Sequence, residues 1–389
     1  MILLRSGIDA ADRRLLDLDL AGASLEAHVE ANCRAMGFVD LSLTCAAECD
    51  LATLLQVSGE PSAAVWVIDA DVWLSKRAFQ RLFAALSSRD SALRITLNDG
   101  ADTIAVCIPA AIAGQASRSM SAAELCQGAG QLVAELPRHD VVDGGGLDAS
   151  APATRVKSFL DVANVERYVL YARATDAMAQ GVRIRDPNTI AIRGELQCGA
   201  GVEIDRDVIV EGTVLLGDGV RIGAHSIVSD STIGSATVIK PFSIVEGAVI
   251  GANSFVGPFG RVRHGAVIGD TVQIGNFVEI KSSRIGDGSR INHLAFVGDA
   301  TLGTGVTVGA ATVTCNHTGS GVAPTTIGDG AYIGSGTMLV APVSVGANAT
   351  IGAGSAITKD APAGKLTIAR SRQMTIDHWQ PAGSTPKAK

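Results

Sequence analysis

VRHGAVIGDTVQIGNFVEIKSSRIGDGSRINHLAFVGDATLGTGVTVG, residues 262–309, steps by six. Val262, Ile268, Ile274 and Ile280 mark the step, which slips and resumes at Ile285, Ile291 and Val297, then at Leu302 and Val308. Upstream it runs through Val202, Val208, Val214 and Val220, and downstream through Ile327, Ile333, Leu339, Val345, Ile351 and Ile357. Glycine follows many of these residues, as at Ile268, Ile274, Ile285, Ile327, Ile333 and Ile351. A period of six suits neither a 3.6-residue helix nor a two-residue strand alternation. It suits a parallel β-helix of triangular section, in which each hexad turns one aliphatic side chain inward and glycine eases the corner. Three hexads close one coil, so residues about 18 apart stack at roughly the inter-strand spacing of ~4.8 Å. The step breaks between Val313 and Ile327, where TCNHTGSGVAPTT must leave the prism as a loop.

Composition agrees with a repeat. The chain has 389 residues, 44 of them glycine, with 47% hydrophobic and only 4% aromatic residues, so its core is built from small aliphatics. Lys and Arg number 32 against 39 Asp and Glu, a formal charge of −7, which speaks against a nucleic-acid partner or an anionic membrane surface. Seven cysteines form no CxxC pair and no Cys/His ligand spacing, so neither a disulfide framework nor a metal site is expected. The start, MILLRSGIDAADRR, turns charged at Arg5, and the longest apolar stretch, about residues 104–114, is too short to span a bilayer. A soluble, cytoplasmic protein is the expectation.

Before the repeat the pattern is mixed. MILL, VDLSL, AAVWVIDADVWL and DTIAVCI read as strands; AGASLEAHVEANCRAMGF and SKRAFQRLFAALSSR read as amphipathic helices. The alternation favours an α/β layer with a parallel sheet. VVDGGGLDASAPAT, residues 141–154, reads as a linker, and residues 163–179 as a helix closed by Gly181. The expected plan is an α/β domain over 1–150, a linker with connecting helix over 151–198, a β-helix over 199–362 and a C-terminal arm over 363–389.

Stacking arithmetic selects candidates for chemistry. Val262 and Ile280 are 18 apart, so Arg263 and Lys281 stack on adjacent coils, and two cations at one strand spacing call for an anion such as phosphate or carboxylate. Glu279 begins the same face, and the corner one coil on carries His293 to Phe296, bringing a carboxylate and an imidazole together. An imidazole, with its ordinary pKa near 6.5, suits proton abstraction near neutral pH, and a carboxylate can orient it. Ser335 and Ala353 are also 18 apart and leave a shallow groove of accessible amides, suited to an extended arm such as pantetheine. His28, His139, His225 and His378 lack such company and read as solvated.

At VGPFGRVRHG, IGNFVEIKSSRIGDGSRINHLAFVGDA and VTVGAATVTCNHTG the sequence closely resembles the bacterial bifunctional UDP-N-acetylglucosamine pyrophosphorylase / glucosamine-1-phosphate N-acetyltransferase family. VERYVLYARATDAMAQGVRIRDPNTIAIRGEL, TTIGDGAYIGSGTMLVAPVSVGANATIGAGSAITKD and the tail IARSRQ extend the resemblance over about residues 156–379. It implies a left-handed β-helix working as a homotrimer, with sites between subunits, that moves acetyl from acetyl-CoA to the amine of glucosamine 1-phosphate. It implies His293 as general base with Glu279 beside it, Arg263 and Lys281 as phosphate-holding cations, and Asn316 in a loop facing the acetyl group. Phe296 and Thr307 fall on acceptor contacts. Ala310, Ser335, Ala353 and Arg370 fall on acetyl-CoA contacts, and no metal is required for acetyl transfer.

The departures are as informative. Phe296 stands where the family has Tyr, Thr307 where it has Asn, Val322 where it has Lys and His317 where it has Tyr. Phe296, Thr307 and Val322 replace three acceptor contacts, and an acceptor other than glucosamine 1-phosphate, or a catalytically weak trimeric scaffold, stays open beside the family's reaction. The N-terminal part, residues 1–150, resembles a shortened, degenerate Rossmann-like nucleotidyltransferase-type α/β domain, in which VWVIDADVWL is similar to the metal-binding strand with Asp71 at the ligand place. The Gly-rich phosphate loop is replaced by RSGIDAADRR, and the second metal-binding Asn falls near Lys157 and Ser158. No pyrophosphorylase activity is expected.

Overall fold

The structure is a computed structural model of the chain. It describes residues 153–377 and Trp379 and, before them, seven strands with Ser24, Ala27, Ala31 and Ala78. The chain divides into two compact units, Met1–Arg173 and Ala174–Lys389.

In the first unit, β1 (Ile2–Arg5) pairs in parallel with β2 (Ser42–Cys45) and β3 (Val65–Asp69). The expected parallel sheet forms only in part. Strand β6 (Asp102–Ile108) runs antiparallel to β3 and to β5 (Ala92–Leu97), giving a mixed sheet in the order β2-β1-β3-β6-β5-β7. Its last strand, β7 (Val141–Leu147), lies in the stretch that composition marks as linker. Glycine weakens a strand but does not prevent one where a neighbour offers an unpaired edge. Between these strands lie β4 (Val72–Leu74), which pairs antiparallel with β8 (Ala153–Arg155). Asp71, most of RSGIDAADRR and nearly all of the two expected helices lie outside the described residues.

Helix α1 spans Phe159–Ala179, starting ahead of the expected 163. Ser158 explains the earlier start. Its Oγ accepts from the Asp161 N–H at 3.3 Å and donates to Asp161 Oδ2 at 2.8 Å, while that carboxylate accepts from the Lys157 N–H at 3.1 Å. This is a reciprocal N-cap with its negative charge in the first turn. Val162, Val165 and Val169, at helical spacing, bury against Trp73 and Val156, and Trp73 meets Tyr168 edge-on at 4.8 Å. The helix ends at Gly181, whose φ of 99° admits no side chain without strain.

The second unit is the parallel β-helix, left-handed as the hexapeptide pattern implies. Its strands begin at Arg183, inside the stretch read as connection, and the last, Leu366–Thr367, lies beyond 362. We number its faces one to three in chain order around each coil. Face one is an 11-stranded sheet; faces two and three are linked as a 17-stranded sheet because Ile209–Leu216 runs around a corner at Gly212. The stacking step is 18 residues at Val256↔Ile274 and Val262↔Ile280, but 17 at Ile222↔Ile239 and Ile274↔Ile291. The shorter coils lose a residue at a corner, and buried hydroxyls pair backbone groups at the corners of short and full coils alike. Ser283 Oγ donates to Lys281 O at 2.7 Å and accepts from the Ala300 N–H at 3.0 Å, and Ser231 does the same one corner series below. Buried backbone groups must be paired, so these serines are part of the repeat.

The core is a column of Val and Ile, with Val262, Ile274, Ile280 and Ile291 all fully buried. The few aromatics stand outside it. His225, Phe242, Phe259 and Phe277 stack ring on ring at 4.9, 5.1 and 5.2 Å along the corner between faces one and two, each on a left-handed residue. Among the described residues no helix is long and apolar enough to cross a membrane.

Truncating Ile274, which has no exposure, to Ala should cost about 2–5 kcal/mol through lost burial and an unfilled cavity. The urea midpoint of Ile274→Ala should fall clearly, whereas Thr301→Ala on an outward position should leave it within error; equal midpoints would contradict the assigned interior.

Candidate active site

One corner carries most of the candidate chemistry. Between faces one and two, Asn276 pairs in register with His293 on the next coil. Ala311, like Leu294, is a left-handed corner residue, which puts Ala310 in the corner place that His293 holds one coil earlier. The Gly336 N–H donates to Ala310 O at 2.7 Å and the Gly354 N–H to Ser335 O at 2.8 Å, so Ser335 and Ala353 take the same place on the following coils. Arg370 closes the column, its Nη1 donating to Ala353 O at 2.7 Å. Small residues make the column a groove. A Cβ on Gly334 would lie 2.5 Å from the Ala353 nitrogen, so only glycine allows the two coils to approach there. His293, Ser335, Ala353 and Arg370 are exposed and Ala310 is half-buried. The three small residues expected to touch acetyl-CoA therefore stand in one line that begins at His293.

Face two carries the charges. Strand Glu279–Lys281 lies between Arg261–Val262 below and Phe296–Gly298 above. The expected stack of Arg263 and Lys281 is present, but the anion between them is in part built in. Arg263 Nη1 donates to Glu279 Oε1 at 2.7 Å. Glu279 thus pairs with a cation, and the imidazole that it was expected to support has another partner: His293 Nδ1 lies 2.8 Å from Asn276 Oδ1. With 37% and 34% of the side chains exposed, the ion pair is screened by water and adds little to stability. Its consequence is positional. Lys281 makes no ion pair among the described residues, so the patch keeps one uncompensated cation beside a fixed guanidinium.

Phe296 and Asn316 meet over Gly298. A Cβ there would lie 2.6 Å from Phe296 Cζ and 2.9 Å from Asn316 Nδ2. Asn316 is only 9% exposed, and its Nδ2 donates to Asp299 Oδ2 at 2.5 Å, which commits one of its two amide hydrogens. The loop it opens, residues 316–324, is held by the Ala323 N–H donating to Asn316 O at 2.8 Å and by a bridge between His317 and Val322. Under it, a cavity of about 370 Å³ is lined by Ser282, Arg284, Asp299 and Pro324 among others.

The site residues thus fall into groups. His293 and the small-residue column share the corner at one edge of face two. Glu279, Arg263, Lys281 and Phe296 lie on the face. Asn316 sits at its far edge, and Thr307 faces outward on face one, stacked between Arg290 and Tyr332. His293 and Asn316 of one chain are therefore not brought together. The sequence did not single out Asn276 or Asp299, the partners of the two side chains given most of the chemistry. The 17-residue steps that couple Asn276 to His293 and Asp299 to Asn316 are hidden from a strict count of 18. The Cys198 thiol is pushed up to about 11 by burial and stays protonated at neutral pH.

Residues 192–285 match a family described as the GMPPB C-terminal domain, and residues 324–359 the bacterial transferase hexapeptide (six repeats). The chain is 48% identical over 239 residues to the bifunctional protein GlmU of Chromobacterium violaceum, covering 61% of this chain and 52% of that one. It is 50% identical over 225 residues to GlmU of Ralstonia pickettii, covering 58% and 50%. The chain thus spans about half the length of these relatives, over its C-terminal part, and the resemblance carried by the sequence strings is found there. Among solved structures, a UDP-N-acetylglucosamine acyltransferase from Campylobacter jejuni matches with a TM-score of 0.25 and 22% identity, over 43% of this chain and 71% of that one.

Asp299→Ala should free the Asn316 amide and loosen the loop. Thermolysin should then cut near Val322 several-fold faster than in the parent chain, with the circular dichroism of the β-helix unchanged; equal cleavage rates would show that the 2.5 Å contact does not hold the loop.

Proposed function

We propose that the β-helix is an N-acetyltransferase that moves acetyl from acetyl-CoA to the amine of an amino-sugar phosphate, with glucosamine 1-phosphate as its acceptor. The observation that carries this is the single corner column in which His293 is followed by Ala310, Ser335 and Ala353 on successive coils. A thioester on an extended arm lying in that groove would end at an imidazole. The similarity to the two GlmU proteins over the same part of the chain supports the same reading.

His293, neutral, takes the proton of the acceptor amine as its nitrogen attacks the thioester carbonyl. The tetrahedral intermediate then expels the CoA sulfur, which receives the proton from the imidazolium. Transfer is direct, with no acyl-enzyme, and the acid–base steps need no metal. Lys281 and the Arg263–Glu279 pair hold the acceptor's phosphate, which converts encounter into positioning. Asn316 offers its second amide hydrogen to the developing oxyanion. Because His293 and Asn316 stand at opposite edges of one face, a site using both draws them from neighbouring subunits, in keeping with a homotrimer. Thr307, on the adjacent face, then borders the acceptor, and Arg370 the acetyl-CoA. The enzyme would work in the cytoplasm, alongside its acyl donor, and without pyrophosphorylase activity.

A second reading keeps the chemistry and changes the acceptor. It is favoured by Phe296, whose ring stands over Gly298, as Asn316 does, and carries no hydroxyl, and by Val322 on the loop. A site built to hydrogen-bond a substrate loses about 1–3 kcal/mol for each contact removed. An acceptor panel separates the two readings.

Thiol release from acetyl-CoA with glucosamine 1-phosphate should be robust, and His293→Ala should lower it by roughly 10²- to 10⁴-fold. Lys281→Ala should raise the acceptor KM by roughly tenfold or more with a smaller effect on kcat. Retention of most of the rate in His293→Ala would overturn the base, and turnover with another amino sugar alone would favour the second reading. UTP with magnesium and N-acetylglucosamine 1-phosphate should yield no pyrophosphate.

A further inference from the structure

The ring of His293 is held by an amide, and this fixes which of its nitrogens can act. Asn276 ends strand Gln273–Asn276 one coil below, in register with His293, and the Leu294 N–H donates to Asn276 O at 3.0 Å, so the two corners are locked together by backbone. Within that frame Asn276 Oδ1 lies 2.8 Å from His293 Nδ1. An amide oxygen only accepts, so the hydrogen in this contact belongs to Nδ1 and the lone pair of the neutral ring is left on Nε2. Glu279, which could have served as the ring's acceptor, is occupied by Arg263 at 2.7 Å.

We propose that Asn276 is a positioning residue that holds His293 in the Nδ1–H tautomer, so that Nε2 is the nitrogen that takes the acceptor's proton. The proposal rests on the reading of His293 as general base and adds to it the group that prepares the ring. The choice of an amide has a physical consequence. It orients the imidazole without placing a negative charge beside it. The carboxylate goes instead to the guanidinium on face two, where it holds a cation in place. The corner thus separates two duties, ring orientation by Asn276 and cation orientation by Glu279.

The experiment is nitrogen-edited spectroscopy of the histidine ring signals in the full chain, with the His293 resonances assigned by their loss in His293→Ala. With the ring neutral in the parent chain, Nδ1 should carry the hydrogen. Asn276→Leu should shift the population toward the Nε2–H form and lower kcat on the order of ten- to a hundredfold with KM for the acceptor unchanged. Asn276→Asp, which restores an acceptor at the same place, should recover the tautomer and most of the rate. An Nε2–H ring in the parent chain, or a tautomer that does not respond to Asn276→Leu, overturns the proposal. Failure of the parent chain to transfer acetyl would sink the functional reading instead, while the ring spectra would still decide whether Asn276 sets the tautomer.

Discussion

Each coil of the β-helix is hydrogen-bonded to the one below it in parallel, with mostly Val, Ile or Leu side chains turned into a shared interior. The coils cannot slide past one another without turning aliphatic side chains outward, so the register is fixed along the whole prism. Every chemical feature described above depends on that register. It sets Asn276 beneath His293, Arg261 beneath Glu279 and Gly298 beneath the loop that Asn316 opens. A repeat of this kind has only neighbour contacts, and its stability is the sum of many similar interfaces. Single corners can then be altered for chemistry while the rest of the column holds its shape.

The corners are where that freedom is used. On one corner the left-handed place is taken by Phe242, Phe259 and Phe277 in turn, then by Leu294, and then by small residues, as the neighbouring place passes from Asn276 and His293 to Ala310, Ser335 and Ala353. Large rings fill the lower part of the edge and a groove opens above it. The loop of residues 316–324 grows from the opposite corner and is tied down by Asp299. Face two lies between these two edges and carries Arg263, Glu279, Lys281 and Phe296. His293, the charged side chains and Asn316 are thus spread across one face and both its edges.

Much of this was legible in the residues. The six-residue spacing gave the β-helix, and the pair Val262 and Ile280 gave the stacking of Arg263 under Lys281, because that coil is a full 18 residues. The loop was visible as a break in the period. What the spacing hid were the coils one residue short. There lie the partners Asn276 and Asp299. In the N-terminal part, the glycines of β7 masked a strand, and the antiparallel course of β6 had no signal in alternation alone, since direction is a property of how strands meet.

The sequence alone determined that the chain folds as a solenoid, where its period breaks, and which residues stand out from it as chemistry, because periodicity and side-chain type are local and a stacked repeat turns them directly into position. The tertiary structure decided the pairings: Glu279 with Arg263, His293 with Asn276, Asn316 with Asp299. Those depend on whether a coil holds 17 or 18 residues and on which of two nearby groups a short side chain reaches, and such differences are settled by backbone hydrogen bonds between coils.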